Sequence, residues 1–279
     1  MVNSSPTVAE GKVFIGAYKM GSEDTGTYFA LDERTGGILW SKTVGDFAQS
    51  TPAYAKGKVY VGWADGSLQK GGIACLDASN GAVAWQQETT YGVWGSAATG
   101  DGLVYAPTYN FSEPGVGKLY ALNKADGSVL WCRDVVSTDT TPAIACNRVY
   151  LSSGYPSEWT PWLEIKTYCF DARSGEPVWE KQDVGGWTCS PAVADNKVFV
   201  GKIKVVDWSS VYEGTYALDA GDGSVIWESP AGGSSPAVVF HKRLYTVGDG
   251  KVYAFRSPLL KFEEIAEPAE AQELESSMF

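Results

Sequence analysis

The sequence is poor in the residues that most enzymes use for catalysis. Its 279 residues include one histidine, three methionines and five cysteines, and no two cysteines have CxxC spacing. A single histidine nearly excludes His-based acid–base chemistry, and five scattered cysteines encode neither a disulfide framework nor a zinc site. There is no HExxH, GxSxG or phosphate-loop motif. Only carboxylate chemistry stays open on composition alone.

Two further absences limit the partners. No apolar run approaches the ~20 residues that a membrane-spanning helix needs. The chain has 22 Lys and Arg against 33 Asp and Glu, a net charge of −11, which argues against a nucleic-acid backbone as partner. The first residues, Met1 to Pro6, have neither the basic start nor the apolar centre of a signal peptide. The compartment therefore cannot be read from this end.

A repeat runs through nearly the whole chain. Two phrases alternate, one ending in tryptophan, such as ALDERTGGILW from Ala30, and one like TTPAI or CSPAV upstream of it. The upstream phrase occurs six times and the tryptophan phrase five times, and the tryptophans recur at intervals of 45 to 48 residues. The recurring tryptophans are Trp40, Trp85, Trp131, Trp179 and Trp227. Repeats of this length predict a solenoid or a propeller.

Each unit is expected to form four short strands. Alternating β-branched and aromatic residues, with turns that contain Gly or Asn, favour strands throughout. The prediction is an all-β fold, a β-propeller of six four-stranded blades over residues 1–256, with each tryptophan packing its blade onto the next. The expected blades are approximately 4–45, 46–90, 91–136, 137–184, 185–229 and 230–256. The acidic tail, 257–279, supplies the last strand of the sixth blade or leaves that blade short.

The acids that recur in the repeat do not indicate catalysis. An Asp recurs before the tight turn of four units and a Gly within that turn in five, where the carboxylate accepts amide hydrogen bonds and the glycine takes a positive φ. Acids that recur at one repeat position are interpreted as scaffold. They are Asp32, Asp77, Asp171 and Asp219.

The tryptophan phrase, with SPAV and GKVYVG upstream, resembles the pyrroloquinoline quinone (PQQ)-type propeller repeat over residues 4 to about 256. That family includes quinoprotein alcohol dehydrogenases, the lipoprotein scaffold of outer-membrane β-barrel assembly, sensor domains and surface proteins. For a dehydrogenase the resemblance implies PQQ, a Ca²⁺ site with Glu, Asn and Asp ligands, and often a vicinal disulfide. This chain has no Cys-Cys pair, so no cofactor is predicted, and PQQ with Ca²⁺ belongs to the alternative function only.

The remaining six tryptophans indicate where a ligand would bind. They are predicted to lie in irregular loops on one face of the propeller, together with further aromatic and acidic side chains, and variable loops on a rigid scaffold commonly carry binding sites. Packing of the loops or of the channel is the competing interpretation. The candidate ligand-binding residues are Trp63, Trp94, Tyr109, Phe111, Tyr155, Glu158, Trp159, Trp162, Trp187, Trp208 and Tyr212.

The sequence thus favours a non-enzymatic binding or scaffold propeller, at the cell surface or in the periplasm. Its aromatic face would bind a protein partner or a glycan. One alternative is a PQQ-dependent dehydrogenase or a fragment of one. Another is a sensor or scaffold domain of a longer protein, which the abrupt start of the repeat and the incomplete sixth unit favour.

Overall fold

The computed structural model describes residues 1–20, 25–67, 69–154, 164–187, 189–206, 209–256 and 261–264. Over these residues the chain forms 24 strands in six four-stranded antiparallel sheets. Among them, no helix has the length and apolar character needed to cross a membrane. The expectation of an all-β propeller with six four-stranded blades is confirmed.

The strands follow the repeat. Blades 1 and 2 comprise β1 (Thr7–Ala9), β2 (Lys12–Lys19), β3 (Thr25–Asp32), β4 (Ile38–Thr43), β5 (Ala53–Ala55), β6 (Lys58–Ala64), β7 (Gly71–Asp77) and β8 (Val83–Thr89). Blades 3 and 4 comprise β9 (Ala98–Gly100), β10 (Leu103–Pro107), β11 (Gly117–Asn123), β12 (Val129–Val135), β13 (Ala143–Ala145), β14 (Arg148–Ser153), β15 (Lys166–Asp171) and β16 (Pro177–Gln182). Blades 5 and 6 comprise β17 (Ala192–Ala194), β18 (Lys197–Val206), β19 (Ser209–Asp219), β20 (Val225–Ser229), β21 (Val238–Phe240), β22 (Arg243–Gly248), β23 (Lys251–Arg256) and β24 (Lys261–Glu264).

Successive blades meet at their first strands. Each sheet has its strands in chain order, and β1, β5, β9, β13, β17 and β21 contact one another in sequence. Side chains of the upstream phrase also bridge neighbouring blades: the amide of Thr51 donates to Ser96 Oγ at 2.9 Å, and the amide of Thr141 donates to Ser190 Oγ at 2.9 Å. The first strands therefore form the inner side of the propeller, and the crossover segments that precede them are fixed at its centre.

The recurring tryptophans join each blade to the next. Trp40, Trp85, Trp131 and Trp179 are buried, and each Nε1 donates a hydrogen bond of 2.8–3.1 Å to a backbone carbonyl of the following blade. Each indole also lies against a positive-φ glycine of that blade, such as Gly175 beneath Trp131. Trp227 is only half-buried and meets Phe255 edge-on, with ring centroids 4.9 Å apart. The tryptophans are structural, as predicted.

The acids of the tight turns are also structural. The Oδ1 of Asp32 accepts hydrogen bonds from the amides of Arg34 and Thr35, at 3.2 and 2.7 Å. The Oδ1 of Asp77 accepts from the amide of Ser79 at 2.9 Å. The Oδ1 of Asp171 and that of Asp219 accept amide hydrogen bonds in the same way. These carboxylates stabilise turns that present the tryptophan strand, and this confirms their assignment as scaffold.

The outward faces of the first and last blades are less buried than the faces between blades. Val59 of blade 2 is 1% exposed, whereas Val13, its counterpart in blade 1, is half-buried. Val8 in β1 is 58% exposed, and Phe240 and Val252 of blade 6 are 61% and 54% exposed. Among the described residues, these two faces lack the close packing that holds the internal junctions together.

Two predicted loops are instead extensions of strands. The segment from Lys202 to Gly214, which holds one of the six tryptophans expected in irregular loops, continues the hairpin of β18 and β19, with register pairs from Lys202↔Gly214 outward to Val206↔Ser209. Trp63 lies within β6 and not in a loop. These strands continue beyond the repeated unit of the sequence. The strand ends predicted from the repeat were therefore too early in the chain.

A matched pair of glycines tests the contribution of tryptophan docking. Gly36 and Gly175 occupy the same turn position, with φ values of +70° and +68°. A Cβ at Gly175 would lie 2.6 Å from the ring of Trp131, whereas a Cβ at Gly36 meets no described atom within 4 Å. We expect Gly36→Ala to lower the free energy of unfolding by about 1–2 kcal/mol through backbone strain. Gly175→Ala should lower it by about 1–3 kcal/mol more through overpacking.

Urea denaturation followed by tryptophan fluorescence measures both losses. Gly36→Ala serves as the control for strain, because it changes the same backbone conformation without a neighbour. Equal losses in the two variants would contradict the proposed contact between the indole and the turn of the next blade.

Candidate functional site

The crossover segments bring one residue from each of blades 2, 3 and 4 to a common cavity near the centre of the propeller. Gln49, Trp94 and Asp139 all lie four residues before the first strand of blades 2, 3 and 4. These three side chains line one cavity of about 210 Å³, together with Trp187 from the next crossover and Tyr109 and Phe111 from the loop after β10. The repeat therefore places equivalent positions side by side at the opening of the channel.

Aromatic rings connect this cavity to the first blades. Tyr18 packs against Phe47 with ring centroids 5.4 Å apart, Phe47 against Trp94 at 5.2 Å, and Trp94 against Phe111 at 5.0 Å. Tyr109 continues the series at 4.7 Å from Phe111. Phe111 is 47% exposed, while Tyr18 and Phe47 are buried. The buried rings support the exposed ring, which stands at the edge of the cavity.

The loop segments are held by strand-like pairing to the neighbouring crossovers. Phe47 forms an isolated bridge with Ala64, and Gly92 forms one with Tyr109. Glycine permits the close approach at Gly95, where a Cβ would lie 2.6 Å from the carbonyl carbon and oxygen of Asp139. The crossovers of blades 3 and 4 are thus in backbone contact, which fixes the distance between Trp94 and Asp139.

Hydroxyl groups anchor the residues on either side of Asp139. The Oγ1 atoms of Thr138 and Thr140 both donate to the backbone carbonyl of Ser152, at 3.0 and 2.7 Å. The amide of Thr140 donates to Thr138 Oγ1 at 3.1 Å. These contacts hold the backbone of the crossover, and the Asp139 side chain lines the cavity between them.

The cavity contains polar atoms whose hydrogen-bonding capacity is not used. Asp139 Oδ1 and Trp94 Nε1 are buried and have no hydrogen-bond partner among the described residues. Burial raises the pKa of Asp139 to about 6, because removal from water disfavours the charged carboxylate. A buried acceptor or charge without a partner is unfavourable. Such a group is a candidate ligand contact with a stated physical basis.

Four of the eleven predicted site residues meet in this cavity, namely Trp94, Tyr109, Phe111 and Trp187. Trp63 is 8% exposed and packs between blades 1 and 2, against Gly45 and Gly72, so its indole belongs to the core. Tyr212 lies on β19, away from the cavity lining. Five predicted residues lie outside the described residues: Tyr155, Glu158, Trp159, Trp162 and Trp208.

Gln49 and Asp139 were not among the predicted ligand-binding residues, although the sequence placed Asp139, like Glu213, among the acids of this face. Both lie at one position of the repeat, four residues before the first strand of a blade, as Trp94 does. The predicted set had Glu158 as its one acid and did not follow this position through the repeat. Glu213, which the sequence placed among the acids of this face, instead forms ion pairs with Lys202, at 3.0 Å, and with Lys204. The Lys204 hydrogen bond holds the pKa of Glu213 below its usual range.

The described residues do not fit the quinone and calcium site that the resemblance implies for a dehydrogenase. No group of three His, Cys, Asp or Glu side chains able to hold a metal ion is found in the described part of the chain. The cavity is lined by one carboxylate, that of Asp139, and one amide, that of Gln49. The arrangement offers a few hydrogen-bonding groups and one carboxylate among aromatic rings in the described part of the chain, which is suited to binding.

Fold and repeat define the protein as a PQQ-type β-propeller. The sequence model of the family described as outer membrane protein assembly factor BamB matches residues 1–213 and 164–259, and the chain belongs to this family.

Three similar proteins illustrate its range. BamB of Moranella endobia is 24% identical over 265 residues, which is 88% of this chain and 62% of the relative. A polyvinylalcohol dehydrogenase of a Pseudomonas species is 24% identical over 343 residues, covering 88% of this chain and 53% of that enzyme. The crystal structure of BamB from Moraxella catarrhalis superposes with a TM-score of 0.64 at 16% identity, covering 93% of this chain and 71% of that one. The chain therefore spans between half and two thirds of the length of these curated relatives.

The buried carboxyl of Asp139 predicts a pH-dependent stability. With a folded pKa near 6 and an unfolded pKa of about 3.9, the folded state binds the extra proton between these values. The free energy of unfolding therefore falls as pH rises from about 4 through 6. We expect Asp139→Asn to be more stable than the native protein at pH 8, by at most about 3 kcal/mol.

The difference should shrink through pH 6 and disappear near pH 4, as thermal denaturation across pH can measure. Glu113→Gln is the control, because Glu113 is an exposed acid on the same face. An Asp139→Asn variant that is less stable than the native protein at pH 8 would show that the carboxylate has a stabilising partner.

Proposed function

We propose that this protein is a non-catalytic scaffold that acts outside the cytoplasm and binds a protein partner at the loop face around Trp94 and Phe111. The observation that carries the proposal is the cavity itself. Among the described residues, aromatic side chains of blades 3 and 5 surround the carboxylate of Asp139 from blade 4, on segments fixed by bridges and hydroxyl anchors. Rigid aromatic anchors that surround a desolvated polar group are typical of the centre of a protein–protein interface.

The composition of the cavity favours a protein over a glycan. A sugar needs several polar groups matched to its hydroxyls, whereas Gln49 and Asp139 are the amide and carboxylate among six lining side chains. Exposed Phe111 offers apolar contact area at its rim. A partner segment with one polar side chain among apolar ones suits this surface better than a row of hydroxyls.

Family membership supports the same assignment. The relatives include proteins named as outer membrane protein assembly factors, a name that describes a role toward other proteins. By extension, we place this protein in the periplasm or at the cell surface, with a component of an envelope assembly machinery as its partner. Trp159 and Trp162, together with Tyr155, Glu158 and Trp208, stay candidates for an extension of the same interface.

A dehydrogenase is the second candidate, since polyvinylalcohol dehydrogenase is among the relatives. The described residues argue against it, because Asp139 is the single carboxylate of the cavity. Addition of PQQ and Ca²⁺ followed by a dye-linked assay of alcohol oxidation distinguishes the two functions. Turnover that depends on both additions would overturn the scaffold proposal.

Site-specific photo-cross-linking in the source organism tests the scaffold proposal. A photoreactive phenylalanine analogue at position 111 should cross-link to one envelope protein, because this ring is exposed at the edge of the cavity. The same analogue at position 125, in the exposed turn between β11 and β12, is the control on the opposite face. Trp94→Ala should reduce the cross-link at position 111 about tenfold, while Trp94→Phe should retain most of it.

Identification of the cross-linked species by mass spectrometry decides the class of partner. Equal cross-linking from both positions, or a glycan as the sole product at position 111, would contradict the proposal. Circular dichroism of each variant verifies that the blades remain folded.

A further inference from the structure

We propose that the cavity bounded by Trp94, Tyr109, Phe111 and Asp139 is a binding site for an organic cation, specifically the guanidinium group of an arginine side chain. Nothing in the family assignment requires such a site. The inference depends on the side chains that line the cavity, the state of their polar atoms and the volume that they enclose.

The charge of the site is negative and is not compensated by its own lining. Among the described residues, Asp139 contributes the one carboxylate of the lining, Tyr109 contributes a phenol, and the other lining side chains are Gln49, Phe111, Trp94 and Trp187. No Lys, Arg or His is among them. Asp139 Oδ1 is buried and without a hydrogen-bond donor within the described structure. The Asp139 side chain lines the cavity, and a ligand that brings N–H donors and a positive charge would pair with its carboxylate in a low-dielectric setting.

The aromatic walls favour the same ligand. The rings of Trp94 and Phe111 meet edge-on at 5.0 Å, so the two ring planes face different directions around the cavity. Cations are attracted to the faces of aromatic rings, most strongly to that of tryptophan. A guanidinium group is planar, stacks on such faces and is more weakly hydrated than an ammonium group, so it combines the ring contacts with a hydrogen bond to Asp139.

The volume limits the ligand to one side chain. A cavity of about 210 Å³ is smaller than the 300–1,000 Å³ that is typical of sites for drug-sized ligands. A folded peptide segment does not enter it. The end of a single long side chain does, and the exposed ring of Phe111 then lies beside the stem of that side chain at the entrance.

The site also explains why a buried carboxylate is present at all. Burial raises the pKa of Asp139, so the charged form is unfavourable without a ligand. A bound cation reverses this effect, because a neighbouring positive charge favours the carboxylate. Unfavourable isolated groups of this kind are expected at functional positions more than in scaffold. In contrast, the acids of the tight turns all have hydrogen-bond donors.

The origin of the cation rests on the proposed function, because the scaffold's protein partner would supply the arginine. The affinity of the site for a small cation does not depend on the proposed function. The two are therefore tested with different probes, and a failure of one can be told apart from a failure of the other.

Titration of the intact chain with butylguanidinium, butylammonium and neutral butyramide tests the site. The readout is the indole Nε1–H signal of Trp94 in ¹H–¹⁵N spectra, assigned by its loss in Trp94→Phe. We expect saturable shifts with butylguanidinium at a Kd on the order of 1–10 mM, a several-fold weaker response to butylammonium, and none to butyramide. Asp139→Asn should weaken butylguanidinium binding at least tenfold.

Glu113→Gln is the matched control, because it removes one exposed acid from the same face and should leave the Kd unchanged. Lowering the pH from 7 to 5 should weaken binding in the native chain but not in Asp139→Asn. Tyr109 is the other titratable side chain among the described residues of the lining. Equal binding of butylguanidinium and butyramide, an unaffected Asp139→Asn variant, or no saturation up to about 100 mM would overturn the inference.

An arginine-containing peptide from the cross-linked partner, compared with its Arg→citrulline form, tests the origin of the cation. Loss of affinity on that change supports the partner's arginine as the ligand. Binding of butylguanidinium without any difference between the two peptides would retain the cation site and refute its use by this partner.

Discussion

The contact on which this fold depends is a tryptophan indole that reaches from the last strand of one blade to the tight turn of the next. The indole N–H donates to a backbone carbonyl there, and the ring lies on a glycine whose missing Cβ makes room for it. A four-stranded sheet cannot bury both of its faces alone, so each blade needs such a neighbour. The half-buried Val13 and the exposed Phe240, on the outward faces of the first and last blades, show what the sheets are like without it.

Tryptophan docking at the outer edge of the blades also determines how the crossover segments are placed at the centre of the propeller. Because each sheet packs on the next in the same way, the crossovers that precede the first strands come together at equivalent positions. Gly95 allows two of them into backbone contact, and paired threonines fix the segment that carries Asp139. The cavity thus consists of variable side chains on a repeated backbone. Such an arrangement allows a family to keep one fold while relatives differ in what they bind.

The architecture could be predicted from the sequence because the two phrases that encode a blade occur five and six times. The intervals between Trp40, Trp85 and Trp131, and the phrases around them, indicated the number of blades, their strands and the role of the tryptophans. Strand ends were less accurate. The hairpin of β18 and β19 extends past the repeat, and Trp63 belongs to a strand, because cross-strand pairing outside the repeated unit leaves no periodic signal.

The site was only partly predictable for a related reason. Aromatic residues in irregular segments suggested a binding face, and Trp94, Tyr109 and Phe111 do meet there. Sequence alone could not distinguish these rings from Trp63, which has the same chemistry and is buried between blades. Nor could it distinguish Asp139 from Glu213, whose ion pairs depend on a strand register. Residue type indicates the chemistry that is available, but the three-dimensional arrangement decides which groups remain without a partner.

The central claim, that docked tryptophans hold the blades together, is tested most directly by the unfolding free energies of two variants. Trp131 is 6% exposed and donates to the carbonyl of Ala172, whereas Trp227 is half-buried. Urea denaturation should show a loss of about 3–5 kcal/mol for Trp131→Ala, as expected for a fully buried large aromatic residue, and a clearly smaller loss for Trp227→Ala. Equal losses for the two, or a loss below about 1 kcal/mol for Trp131→Ala, would contradict it.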